Sequence, residues 1–188
     1  MEEDTESATV ALAKAGDEEA FRQIVVRYAP AVFRLAYRLT GSAEEADDVV
    51  QETFLRAWKA IGRFEERSRV SSWLFRIATN HVLDTKRART REARSEALGE
   101  DLVDSLPSKQ AGPDRAAEGA EVSRRVAAAM RLLSTPERAA FVLRHCEGRP
   151  ISEIAAALGI RDGAAKNAIF RAVAKLREEL SPLVRVTP

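Results

Sequence analysis

Between Gly148 and Leu180 the apolar residues recur every three to four positions and are interrupted once, at Gly159, which restricts this stretch to two short helices joined by a tight turn. Ile151, Ile154, Ala155 and Leu158 share one face of the first helix. Gly159 permits a turn that a Cβ would strain, and Ile160 then returns to the core. The second helix starts near Gly163, where Asp162 can accept an amide hydrogen bond, and its buried stripe is Ala165, Ile169, Ala172, Val173 and Leu176. Its opposite side carries Ala164, Asn167, Phe170, Arg171 and Ala174, flanked by Lys166, Lys175 and Arg177, and nothing there demands a core. Such a face, on the second helix of a helix-turn-helix, can enter a DNA major groove. An ordinary helical hairpin with a solvated basic side has the same pattern, so the rest of the chain has to decide.

The 188 residues, 45% of them hydrophobic, can bury one moderate core or two small ones. No apolar run is long enough to cross a bilayer, and MEEDTESATV is acidic where a signal peptide is basic and then apolar, so a cytoplasmic protein without membrane insertion is expected. The single cysteine, Cys146, reads as a small buried filler. With only His81 and His145 beside it there is no ligand set for a structural zinc. No metal, cofactor or catalytic constellation is expected. The net charge of +1 conceals a segregation. Residues 1–20 set seven carboxylates against Lys14, whereas residues 63–94 set nine Arg or Lys against four carboxylates, a basic stretch suited to phosphates.

The periodicity predicts an all-α chain of two small helical domains. One helix is predicted from about Asp17 to Leu39, bent near Pro30. A second runs from Ala43 to Ile61 with Ser42 as its N-cap, and a third from Val70 to about Arg89. These three make a first domain, residues 1–91. From 92 to 119 the periodicity fades, Pro107 and Gly112-Pro113 break structure, and acidic residues dominate, as in a flexible linker. Residues 120–188 form a four-helix unit, with Thr135 as N-cap and Pro136 at the first position of its second helix.

Two outward faces do not belong to a core. On the 43–61 helix, Ala46, Val50, Phe54, Ala57, Trp58 and Ile61 point inward, and Leu55 lies outward among Asp48, Gln51 and Glu52, as a protein-binding hot spot does. Asp48 and Glu52, at i and i+4, repel one another unless a basic group lies between them, which favours an arginine-rich partner. On the 70–89 helix, Arg76, Asn80 and Arg87 share a side, so two cations for phosphates flank an amide for a base edge. Phe64, Trp73 and Phe75 lie close enough in sequence to stack on unpaired bases, although the latter two also suit a core, and for Trp73 packing is the favoured use.

With these blocks in hand, the chain resembles the extracytoplasmic-function sigma factors of the sigma-70 family. Asp47–Trp58 is similar to the family's core-polymerase-binding helix, Ser72–Asn80 to its promoter-melting and minus-ten-reading segment, and Glu153–Ile160 with Lys166–Ala172 to its minus-thirty-five reader. The resemblance implies that Asp48, Gln51, Glu52 and Leu55 dock on core RNA polymerase. It implies that Phe64, Arg67, Ser68, Arg76, Asn80 and Arg87 hold minus-ten DNA, and that Lys166, Asn167, Phe170 and Arg171 meet minus-thirty-five DNA. It also implies a monomer with core RNA polymerase and promoter DNA as partners, and an anti-sigma factor, often membrane-tethered, that holds it inactive. Family members often carry threonine where this chain has Ala164 and arginine where it has Ala168. Two polar contacts fewer would move discrimination toward DNA shape. Pro150, at the start of the first of these two helices, stiffens it. The rival reading is a helix-turn-helix regulator that binds an operator as a dimer.

Overall fold

A computed structural model describes residues 2–65, 68–96 and 116–184, and every regular element among them is helical. The chain divides into two compact units, residues 1–82 and 83–188, so the division falls inside a helix, before the boundary expected at residue 91. Most of the expected linker, 97–115, lies outside the described residues. Its two ends, 92–96 and 116–119, are helical.

The first unit holds one helix more than the periodicity predicts. α1 (Glu2–Lys14) precedes α2 (Glu18–Thr40), α3 (Ala43–Ala60), a single 3-10 turn at Ile61–Arg63, and α4 (Val70–Glu96). α1 has a weak apolar stripe, yet it buries Val10 and Ala13, packs on α2 and is tied to it by a 3.6 Å ion pair between Glu6 and Arg27. Its acidic composition concealed it because two buried side chains suffice once a neighbouring helix supplies the rest of the contact. Asp17 then caps α2 by accepting the Ala20 amide at 2.9 Å, and α2 runs unbroken through Pro30. Gly41, at φ +80°, ends α2, and Ser42 caps α3 as predicted, accepting the Glu45 amide.

The buried face of α3 is rotated from the predicted one. Ala46, Val49, Thr53, Phe54 and Ala57 are buried, while Val50 and Trp58 are half-buried, Trp58 packing on Phe21 with the rings tilted at 59° and their centroids 4.9 Å apart. α4 buries Val70, Trp73, Leu74, Phe75, Ala78, Val82 and Leu83, three of them consecutive, so more than one side of its first turns is enclosed.

The second unit comprises α5 (Ala116–Arg131), α6 (Thr135–Phe141), which widens into a π turn at Val142–Cys146, α7 (Ile151–Leu158) and α8 (Asp162–Val184). The N-cap of α6 is Ser134 rather than Thr135. Its hydroxyl accepts the Glu137 amide while the Glu137 carboxylate accepts the Ser134 amide, a complete capping box that places Thr135 and Pro136 inside the first turn. α7 begins at Pro150, as expected of a stiff start, and ends at Gly159, φ +64°, where the amides of Gly159 and Ile160 bond back to Ala155 and Ala156. Two predicted core residues are exposed: Ile160 and Cys146. Ile160 follows the left-handed Gly159 and donates its amide to Ala155 in the α7 cap, with its side chain about one-third exposed. Cys146 is the last residue of the π turn, whose extra residue per turn rotates it off the buried side.

A left-handed Gly159 has a direct consequence for stability. Gly159→Ala is expected to destabilise the second unit by about 1 kcal/mol. Both tryptophans, Trp58 and Trp73, lie in the first unit. The loss should therefore appear as an earlier transition in far-UV circular dichroism during urea denaturation, with the tryptophan fluorescence transition unmoved.

Candidate functional site

On α3, folding leaves Asp48, Gln51 and Leu55 exposed and Glu52 half-exposed on one side of the helix. Leu55 keeps 48% of its surface in water although the buried stripe passes two residues away at Ala57. Its own unit leaves about half of this apolar side chain uncovered. The carboxylate repulsion expected between Asp48 and Glu52 is relieved within the chain. Arg56 Nε donates to Glu52 Oε1 at 2.6 Å, one helical turn on, and this bond holds the Glu52 carboxyl below its ordinary range, with further help from the charges of His81 and Lys59. Glu52 therefore meets any partner as a carboxylate already oriented by Arg56.

On α4, Arg76 and Asn80 are both exposed, one turn apart, as the spacing predicts. Arg87 is exposed further along the same helix, past the division between the units, with Asp84 Oδ1 3.5 Å away. Ser68 is exposed in the loop before α4, and Arg67 lies outside the described residues. The aromatic residues behave differently from the expectation of base stacking. Phe64 is 6% exposed and packs against Trp73 with ring centroids 4.8 Å apart, and Phe75 is buried. Phe64 thus belongs to the core. Burying its ring anchors the loop that carries Ser68, and it offers no free face to a base.

On α8, Lys166, Asn167, Phe170 and Arg171 are all exposed, Phe170 at 75%. Lys166 and Phe170 line an open groove of about 320 Å³ together with Ile169, Val173, Ile151 of α7 and Arg144 and His145 of the π turn. Its floor is apolar and its rim cationic. The buried stripe of α8 is Ala165, Ala168, Ala172 and Leu176, with Ile169 and Val173 only half-buried. Ala168 consequently faces the core, so the outward face lacks one polar side chain, at Ala164, rather than two.

Arg171 is not a free cation. Its Nε donates to Glu137 Oε1 at 3.1 Å, and Lys175 Nζ donates to Glu137 Oε2 at 2.8 Å. Glu137 is 6% exposed, and the same carboxylate closes the α6 capping box. Burial raises its pKa, but the Lys175 bond, the Ser134 amide, Arg171 and the Ser134 hydroxyl together outweigh burial and bring it down to about 2. Sequence reasoning missed Glu137 because its partners lie 34 and 38 residues away. The capping box Ser134-x-x-Glu137 was the local signal available. Nearby, Arg138 Nε donates to the Met130 carbonyl at 3.0 Å, closing the C-terminal end of α5.

Comparison with known proteins brings both halves under one heading. Residues 24–92 match the family model Sigma-70 region 2, and residues 123–176 match Sigma-70, region 4. The ECF RNA polymerase sigma factor SigE of Mycolicibacterium smegmatis is 35% identical over 95% of this chain and 69% of its own length. The ECF RNA polymerase sigma factor SigW of Bacillus subtilis is 31% identical over 90% of this chain and 94% of its own. Among solved structures, the sigma factor RpoE, in a co-crystal with the anti-sigma factor NepR from Bartonella quintana, superposes with a TM-score of 0.65. It has 28% identity, covering 86% of this chain and 96% of that one. Two matches to one family, in family order, favour it over the dimeric operator-binding regulator.

The Glu137 cluster predicts an acid dependence. Its folded-state pKa, about 2, lies below the ordinary 4.5, so the stabilisation is complete above about pH 5 and is lost as pH falls through 4.5 toward 2. Arg171 and Lys175 are 59% and 45% exposed, so water screens the pairing and its worth is on the order of 1–2 kcal/mol. Urea denaturation by circular dichroism should show Glu137→Gln less stable than wild type by that amount at pH 7, with the gap closing near pH 2. A gap of constant size at every pH would contradict the assignment.

Proposed function

The chain belongs to the sigma-70 family and is an RNA polymerase sigma factor of the extracytoplasmic-function group, and from that premise we propose which of its surfaces performs each part of initiation. Sigma factors are non-catalytic initiation factors, so the task of every surface is binding. Residues 1–91 engage core polymerase and minus-ten DNA, residues 92–119 connect, and residues 120–188 read the minus-thirty-five element. All of this takes place in the cytoplasm, where polymerase and promoter meet.

The observation that carries the polymerase assignment is Leu55, half exposed among Asp48, Gln51 and Glu52 on a helix whose other side buries Ala46, Val49, Phe54 and Ala57. A desolvated leucine ringed by polar groups is the usual form of an energetic hot spot, and the carboxylates give it a preference for a basic partner. For minus-ten DNA, Arg76 neutralises backbone charge and Asn80 offers donor and acceptor to an unpaired base, with Ser68, Arg67 and Arg87 extending the contact. Extruding a base costs a few kcal/mol, which contacts to polymerase and to the base offset. On α8, Lys166 and Arg171 supply phosphate or guanine contacts, Asn167 suits adenine, and Phe170 can lie against a thymine methyl. Ala164 leaves that face one polar group short, which favours partial reliance on DNA shape.

An inhibitor completes the scheme. RpoE of Bartonella quintana is seen with the anti-sigma factor NepR. By extension, this chain is held inactive by an anti-sigma factor that covers the Leu55 face until a signal releases it.

Run-off transcription with purified core polymerase tests the assignment. Wild type should yield promoter-specific transcripts, and Leu55→Arg should abolish them by weakening core binding at least about 30-fold, with the fold intact because Leu55 is exposed. Asn80→Ala should leave core binding unchanged and lower promoter opening about tenfold, read with a fluorescent base in the minus-ten element. Full activity of Leu55→Arg would remove α3 as the docking helix.

A further inference from the structure

We propose that Glu137 is a specificity-determining positioning residue for the DNA-reading helix, holding Arg171 and Lys175 with its two carboxylate oxygens so that neither cation binds phosphate indiscriminately. This rests on the reading of α8 as the minus-thirty-five reader.

The geometry is explicit. Arg171 and Lys175 stand one turn apart on α8, and Glu137 meets both from the first turn of α6, Oε1 to Arg171 Nε at 3.1 Å and Oε2 to Lys175 Nζ at 2.8 Å. The carboxylate cannot wander, because it also accepts the Ser134 amide at 3.0 Å and is almost wholly buried. Gripping Arg171 through Nε fixes the plane of its guanidinium, and the Nη pair is then delivered in one orientation. A bidentate contact to phosphate or guanine needs such an orientation and a freely rotating arginine lacks it. The charge balance changes as well. Two cations share one buried negative charge that stays ionised down to about pH 2, so this part of α8 attracts DNA as roughly one charge rather than two. Each phosphate newly neutralised adds about 0.9 to the salt dependence of binding, equally for right and wrong sequences. Glu137 therefore suppresses the sequence-blind part of the affinity and orients the part that reads sequence.

A glutamine at 137 separates this role from a structural one. Gln also completes a capping box, so Glu137→Gln keeps size and cap and removes the charge. The experiment uses the chain reconstituted with core polymerase, wild type and Glu137→Gln. The first probe is a promoter fragment selected from a random-sequence library by the wild-type holoenzyme, the second that fragment with its upstream element scrambled. Anisotropy between 50 and 200 mM KCl should show that Glu137→Gln binds the scrambled fragment more tightly at low salt, with a log–log salt slope steeper by about 1. Its preference for the selected fragment should fall about tenfold. Equal weakening on both fragments with an unchanged slope, or no change at all, would overturn the proposal. If Glu137→Gln fails to fold by circular dichroism, Arg171→Lys carries the test. It keeps the charge and loses the fork, so it should lose preference with the slope unchanged, and retained preference would refute the orienting role. A wild-type holoenzyme indifferent to scrambling would bring down the α8 reading and this inference together. A wild-type holoenzyme that discriminates between the fragments, with Glu137→Gln matching it in preference and in salt slope, would bring down the inference alone.

Discussion

The second unit depends on how closely α8 can approach the helices beneath it, and alanine is what permits that approach. Ala165, Ala168 and Ala172 face inward on α8, and Ala129, Ala139, Ala140, Ala155 and Ala157 are buried on the other helices. Small side chains at a seam let helix axes come near each other, but each contributes little burial, roughly 0.8 kcal/mol per methyl-sized group removed from water. Leu133, Leu143, Ile154, Leu158 and Leu176 supply the larger volumes. In so small a core, a charged tie such as Glu137 to Arg171 and Lys175 is a sizeable addition. It also acts in a direction that dispersion forces do not, since it fixes the rotation of α8 about its own axis as well as its distance.

The first unit solves the same problem with aromatic rings. Phe21 against Trp58 and Phe64 against Trp73 fill the space among four helices that alanine would leave open. The consequence for function is a division of faces. With the rings turned inward, α3 and α4 present to solvent only what the core has no use for: Leu55 with its acidic neighbours on one helix, Arg76 and Asn80 on the other.

The outward faces proposed for binding were legible in the sequence to the extent that they are the complement of a buried stripe. Leu55, Asp48 and Gln51, the Arg76–Asn80 pair, and Lys166, Asn167 and Phe170 all fell outside a 3.6-residue apolar pattern, and all are exposed. Errors of rotation arose where a stripe could be drawn in two ways. On α3, Val49 rather than its equal-sized neighbour Val50 is buried; on α8, Ile169 carries the larger side chain, yet Ala168 is the buried member, because close helix contact selects for fit as well as hydrophobicity. Trp73 and Phe75 were open, and Phe64 was misassigned to DNA, for the related reason that an aromatic ring suits both a core and a nucleobase.

What the sequence by itself determined is whatever rests on neighbours within a few residues. α2, α3, most of α4 and α5, and α6 to α8 follow from periodicity, Ser42 from the short reach of a capping side chain, and the turn at Gly159 from its left-handed backbone. The tertiary structure decided the rest. α1 is a helix because α2 shelters Val10 and Ala13, and Ile160 and Cys146 are outside because a cap and a π turn rotate them there. Arg171 is tethered because Glu137 arrives from another helix, 34 residues away in the chain. Local spacing specifies which side of a helix is apolar. Only the packing of one helix on another specifies which charges meet.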